Sequence, residues 1–319
     1  MLFSIGFTYY ICNWHVEKDT TLLIPQNSSV LAISEILKDA SIIHDKYAFL
    51  MMFKLYTLLH HNQTIKAGGY EFTKGMSMFA VITKMVDGIV IKYKLTIPEG
   101  YTAARIIESV NAEKNIIKLP ILDIAEPEEG YLFPETYVYT YGATNLDLLL
   151  RMHQAMDKFL REEWLKRDKR IDAVIRSPHD ALVLASIIEK ETILESEKSI
   201  IAGVYINRLK KNMRLQADPT VIYGLTRGIK NFRRRVTYQD LKHVSDYNTY
   251  LNSGLPPTPV CNPGQRAIIA ALHPHWVDKL YFVADGTGGH LFSATFDEHK
   301  KNITKIKNKS VDDTDIAAQ

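Results

Sequence analysis

SIIEKET, Ser186 to Thr192, is followed after the spacer ILESEKSIIAGVYINRLKKNM by RLQADPTVIYGL, Arg214 to Leu225. The first stretch sets carboxylic acids at the end of an apolar helical run. The second supplies polar and aromatic side chains able to hold a substrate against one of them. At about 100° per residue, Leu184, Ile187, Ile188 and Leu194 fall within roughly 60° of Glu191, whereas Glu189 lies on the other side with Leu182, Ala185 and Ser186. Glu191 therefore shares the more apolar face. A carboxyl group there loses hydration in its charged form, so its pKa rises and it keeps a proton near neutral pH, as a general acid must. The plain alternative is a carboxylate paired with Lys190, Lys198 or Arg208 on a solvated face. On the acid reading, Glu191→Gln removes turnover and Glu189→Gln is mild.

Further motifs lie on both sides: IPEGYT (Ile97 to Thr102), EGYLFPETY (Glu129 to Tyr137), AGVYINRL, DYNTYLNSGLPPTPVCNPG and YFVADGTGGHLFS. With SIIEKET and LQADPTVIYGL they resemble, in order and over nearly the whole chain, the MltG/YceG family of endolytic murein transglycosylases. Several long motifs in one order are far more specific than a single short pattern. The resemblance implies an α+β fold, with small LysM-like strand and helix units over residues 18–118 and a mixed α+β catalytic domain over 119–319. The second Glu of the family's EKET motif is its catalytic residue, and the matching position is Glu191.

The implied reaction is a lyase cleavage of the β-1,4 bond between N-acetylmuramic acid and N-acetylglucosamine within nascent glycan strands. It leaves 1,6-anhydromuramyl ends, terminates strand elongation and needs no cofactor or metal. The implied partners are peptidoglycan strands and the cell-wall synthases. The implied place is the cell inner membrane, held by a single span, with the catalytic part in the periplasm. Two other readings stand beside this one. A lysozyme-like hydrolase requires a second acid, with Asp218 or Glu195 the nearest candidates. A catalytically idle glycan-binding scaffold keeps the fold without using Glu191.

Composition sets outer limits. With 319 residues, 46% hydrophobic and 24% charged, the chain buries a full core and is long enough for two domains. A formal charge of +3 is too small to argue for nucleic acid. The two cysteines, Cys12 and Cys261, lie in unrelated contexts and imply neither a disulfide framework nor a metal site. MLFSIGFTYYIC, at the start, is an apolar run shorter than the roughly 20 residues that span a bilayer. Residues 1–17 therefore read as a remnant membrane anchor or signal-like segment, clipped at Asn13, Trp14 and His15, with an ordinary buried element as the third reading.

Residues 18 to 118 read as two related units. An offset of 73 aligns Ile24 and Pro25 with Ile97 and Pro98, and pairs Leu22 with Leu95, Ile33 with Ile106, Leu37 with Val110 and Ile43 with Ile116. Each copy is a short strand, a turn and an amphipathic helix. Between them, KAGGYEFTKGMSMFAVITKMVDG reads as a strand and then a helix burying Met78, Phe79, Ile82 and Met85. The stretch KLPILDIAEPEEGYLFPETY, with three prolines and a charged EPEE patch, suits a connection. A helix from Asn145 to Trp164 follows, packing Leu148, Leu149, Met152, Met156 and Phe159.

Carbohydrate is held by amides, hydroxyls and aromatic faces, which selects Gln216, Asp218, Thr220, Tyr223, Tyr247 and Asn248 as substrate-binding candidates. Thr220 serves equally as a helix cap and Asp218 as a turn residue. Rival sites lack partners. Arg233, Arg234 and Arg235 read as a solvated loop, GTGGH (Gly286 to His290) as a hairpin connection, and His273, His275, His290 and His299 lack zinc-ligand spacing.

Overall fold

The computed structural model describes residues 14–60, 63–120, 128–230 and 232–316, with side chains described up to 308. The architecture is α+β, with small two-stranded sheets among helices. Two compact units divide the chain: one takes residues 1–95, 113–119 and 137–148, the other 96–112, 120–136 and 149–319. They interleave along the sequence rather than meeting at the single cut between 118 and 119 that the motifs suggest.

In the first unit, β1 (Thr20–Ile24) pairs antiparallel with β2 (Gly68–Phe72), with Thr20 opposite Phe72 and Ile24 opposite Gly68. Three helices follow from three local start signals. Ser29, Asp45 and Ser77 each accept the amide of the third residue on, which satisfies one orphan donor at the first turns of α1 (Val30–Asp39), α2 (Lys46–Leu59) and α3 (Met78–Asp87). Gly88 closes α3 at φ 71°, a left-handed position open to glycine. Ile24, Leu37, Ile43, Phe49, Tyr70, Phe72, Ile82 and Met85 share one core. Phe79, expected inside, is 54% exposed, and Val81 and Val86 are buried instead. No motif marks helix α2 in the sequence.

Strands β3 (Lys92–Thr96) and β4 (Thr136–Thr140) form a second pair. The repeat has a local counterpart: the offset of 73 carries α1 onto α4 (Ala103–Ala112) without slippage. Ile33 and Leu37 are buried in α1 as Ile106 and Val110 are in α4. Of the expected anchor, residues 1–13 lie outside the described residues. His15 bridges Ser77 and Val16 is buried in the first unit's core. Among the described residues no helix is long and apolar enough to cross a membrane.

The second unit is helical. Its elements include α5 (Asn145–Lys166, from Leu149 onward), α6 (Pro178–Glu191), α7 (Glu195–Lys210), α8 (Asp218–Thr226), α9 (Gln265–Leu272), the β5–β6 hairpin (Tyr281–Ala284 and His290–Ser293) and α10 (Phe296–Ile316). Helix α6 is its axis. Ser177 caps it by accepting the Asp180 amide, and Pro178 in the first turn needs no hydrogen-bond partner there. From Ala181 to Ile188 every side chain is buried, so α6 has no solvated face in that stretch. Its one polar residue there, Ser186, is used twice: its hydroxyl donates to the Val183 carbonyl and accepts the Val260 amide. Those bonds anchor the proline-rich loop that leads into α9. GTGGH is the tip of the β5–β6 hairpin, with Gly286 and Gly288 at positive φ.

Candidate active site

Helix α6 stops at Glu191, and Thr192 continues in extended conformation. The chain end of the helix therefore carries two acids, and the structure separates them by their partners. Glu189 lies in an ion pair with Lys198 of α7, whose Nζ stands 3.2 Å from Oε1 and 3.3 Å from Oε2. The Gly264 amide donates to the same carboxyl group at 3.1 Å. Lys198 is only 3% exposed and also faces Glu195 and Glu99. A Cβ on Gly264 would stand 1.8 Å from a Glu99 carboxyl oxygen, so a larger residue here would push the Glu99 side chain aside. The alternative of an acid paired with Lys198 describes Glu189, though the pair is buried rather than on a solvated face, and Glu189 is a strut. Leu194 is not on the Glu191 face of α6, because it caps the start of α7 and is partly exposed.

Glu191 meets a different environment. Tyr205 of α7 donates its hydroxyl to Oε1 at 2.6 Å. The residue as a whole is half-buried, and protein is packed closely around its carboxyl group. Burial raises its pKa to about 7, the Asp218 carboxylate adds to the rise, and the Tyr205 hydrogen bond and the Arg208 guanidinium oppose it. The free carbonyls at the end of α6 act in the same direction as burial, since a helix C-terminus disfavours negative charge. Arg208 is spent on the carbonyls of Leu280 (2.6 Å) and Leu215 (2.8 Å) and makes no carboxylate pair with Glu191. The result is a carboxyl group that holds a proton near neutrality and remains reachable.

The six substrate candidates divide into three places. Gln216 and Asp218 are exposed at the start of α8, and Asp218 faces Glu191 electrostatically. Tyr250 donates its hydroxyl to Asp218 at 2.7 Å, which joins Glu191, Tyr205, Asp218, Tyr250 and Arg208 in one electrostatic group. Gln216 sits at φ 50°, a left-handed conformation uncommon outside glycine and asparagine, held by its amide on the Thr249 carbonyl. Thr220 and Asn248 are fully buried. The Thr220 hydroxyl bonds the Ala217 carbonyl and Thr249, and the Asn248 side chain bonds the carbonyls of Leu241 and His243 and the Tyr250 amide. Both shape the walls of the site from behind.

Tyr223 and Tyr247 belong to a third place, with ring centroids 4.8 Å apart. Tyr223 hydrogen-bonds Glu129, the acid shared by the EGYLFPETY motif and the charged EPEE patch. It is no solvated connector: Glu129 accepts the Ala103 amide at 2.9 Å and the Asn262 side-chain amide at 3.1 Å. Burial pushes its pKa up to about 7 against those hydrogen bonds. Beside it lies a cavity of about 780 Å³ lined by Ala104, Ile107, Tyr131, His179, Tyr223 and Arg227, among others.

The alternative second acid Glu195 faces Lys198 and Arg266. Of the arginine run, Arg234 makes a two-pronged pair with Asp240. His290 bonds Glu197 at 2.7 Å, which ties the hairpin to α7.

The profile of the YceG-like family matches residues 22–305. A curated protein of Bacillus subtilis named endolytic murein transglycosylase is 34% identical, over 90% of this chain and 85% of its own length. One of the same name from Streptococcus pneumoniae is 30% identical over 92% of this chain, which spans 60% of that longer protein. A crystal structure of a YceG-like protein from Listeria monocytogenes is 34% identical and superimposes with a TM-score of 0.52, covering 89% of this chain and 99% of that one.

Proposed function

Because the chain belongs to the YceG-like family, we propose that it is an endolytic murein transglycosylase, a carbon–oxygen lyase in which Glu191 supplies both acid and base. The observation that carries this reading is a reachable carboxyl group whose pKa burial raises to about 7, with a neutral hydroxyl and no direct ion pair as its hydrogen-bond partner. Protonated Glu191 donates to the glycosidic oxygen between N-acetylmuramic acid and N-acetylglucosamine. As the bond breaks, positive charge develops at the muramyl C1, and the Asp218 carboxylate favours it electrostatically. The Glu191 carboxylate then takes the proton of the muramyl 6-hydroxyl, and that oxygen closes onto C1. The proton given stays on the departing N-acetylglucosamine 4-hydroxyl, and the one taken from the 6-hydroxyl restores Glu191. No water is consumed, so one carboxyl group serves where a hydrolase needs two.

Gln216 and Asp218 are assigned to the sugar at the bond, and the Thr220 and Asn248 hydrogen bonds fix the loops that present them. The reading extends to an enzyme held in the inner membrane through its amino-terminal segment. Its catalytic part faces the side where glycan is made, beside the synthases whose strands it ends. Mass analysis of products from purified protein and isolated glycan strands tests the reaction. Anhydromuramyl ends, lighter by one water than reducing ends, are expected, together with an early fall in mean strand length. Reducing muramic acid ends would instead show a hydrolase using Asp218, and uncut strands a binding scaffold.

A further inference from the structure

We infer that the cavity beside Glu129 receives the peptide stem carried by muramic acid, so that the enzyme reads the peptide as well as the sugar. This rests on the transglycosylase reading of Glu191. The cavity falls within the range of small-ligand pockets at about 780 Å³. Its walls combine apolar surface from Ala104 and Ile107 with the rings of Tyr131 and Tyr223. Its polar groups are unequally used. Tyr131 and His179 satisfy one another at 3.0 Å, and His179 reaches the Pro257 carbonyl at 3.1 Å with its other nitrogen. Glu129 is committed to Ala103, Asn262 and Tyr223.

What stands ready at the rim is a pair of opposite charges. Arg227 is exposed, has its guanidinium 4.8 Å above the Tyr247 ring, and makes no carboxylate ion pair among the described residues. Glu128 lies exposed on the same rim. Arg227 is held at φ 50° as the cap of α8, an uncommon conformation for a residue with a side chain. A cation and an anion flanking aromatic and apolar walls suit a short peptide with a free carboxylate and a free amine. Neutral sugar needs hydrogen-bond partners but no matched pair of opposite charges.

The distances agree. His179 and Glu191 lie near opposite ends of α6, twelve residues or about 18 Å apart. Asp218 and Arg227 bound α8, about 13 Å apart by the same rise. A peptide of four or five residues extends roughly 13–18 Å. A stem on the muramic acid at the scissile bond therefore reaches the cavity when extended.

The test compares glycan strands bearing stems with the same strands stripped by an amidase, using the full chain, Arg227→Ala and Ala104→Phe. The wild type is expected to show a lower KM on stem-bearing strands. Arg227→Ala should raise that KM about tenfold with kcat little changed, the loss of one charge-assisted hydrogen bond. Ala104→Phe fills the cavity and should remove the preference while cutting stripped strands at the wild-type rate. If that variant fails to fold, the exposed Arg227 position carries the test alone. Equal KM values on both strands for wild type and Arg227→Ala, with anhydro ends still formed, would overturn the stem site and leave the reaction standing. Absence of anhydro ends from either strand with the wild type would overturn the reaction reading, and the stem site with it.

Discussion

Glu189 and Glu191 stand two residues apart at the end of one helix, and the regions around them make opposite use of the same side chain. About 200° of helical turn separates them. Around Glu189 the molecule has gathered a buried lysine and the backbone amide of a glycine packed against Glu99. Around Glu191 it has placed a tyrosine hydroxyl, a nearby carboxylate and a partial opening to solvent. Burial alone does not make a catalytic acid. The partner decides: a cation turns a buried carboxylate into a strut, and a neutral donor leaves it free to exchange a proton.

The sharpest way to break this comparison is to neutralise each acid in turn. Glu191→Gln preserves shape and the chance to accept from Tyr205 but can neither give nor take the proton. Turnover should fall by at least roughly 10²-fold, with strand binding retained. Product release from purified variant and wild type, alongside a binding measurement, checks it. Turnover that survives in Glu191→Gln would remove Glu191 from the chemistry and return attention to Asp218.

Glu189→Gln should fail differently. Its loss leaves Lys198, 3% exposed, with the longer contacts to Glu195 and Glu99 alone. Removing one partner of a buried pair costs about 3 kcal/mol. For a unit of this size that lowers Tm by roughly 6–12 °C. Turnover per folded molecule should stay near wild type. A thermal melt and an activity assay below the new midpoint separate the two effects. The change is mild in rate, as the sequence suggests, and not in stability. A variant that melts with wild type would mean that Lys198 finds adequate partners elsewhere.

The difference between these two acids was only partly legible in the chain. Helical phase sets Glu191 on the more apolar face, but between Ala181 and Ile188 α6 is buried on every side. A helix buried all round shows no amphipathic stripe, so periodicity cannot say which side holds the cation. Tyr205 was hidden for another reason. It lies ten residues into α7, where a side-by-side helical hairpin would carry it about 15 Å from the tip of α6. The crossing of the two helices brings it to Glu191, and crossings follow from packing. Glu129 was hidden by its neighbours, since an acid in EPEE reads as solvated until the Asn262 loop and Tyr223 close over it. Caps and repeats, by contrast, are local. The start of α6 at Ser177 and the match of α1 with α4 follow from short-range sequence.

The smallest change sharpens the comparison most. Tyr205→Phe removes the one hydrogen bond that opposes burial at Glu191, at 2.6 Å, and leaves the ring packed against Phe282. The bond favours the carboxylate, so its loss should move the Glu191 pKa upward from about 7 by roughly one further pH unit. The sign follows from proton count. Between the ordinary carboxylic range and about 7, the folded chain holds a proton at Glu191 that the unfolded chain has lost, so this group's contribution to stability falls as pH rises. In Tyr205→Phe that falling window extends to higher pH. Activity should follow the same proton: kcat/KM, which in wild type declines as pH passes about 7, should decline about one unit later in the variant. Below that point the rate should drop several-fold, because the acid is less readily turned into the base that finishes the reaction. A pH profile of kcat/KM for both proteins reads this directly. A uniform fall in rate with an unmoved midpoint would make Tyr205 a packing residue, and the proton at Glu191 would then be set by burial and by Asp218 alone.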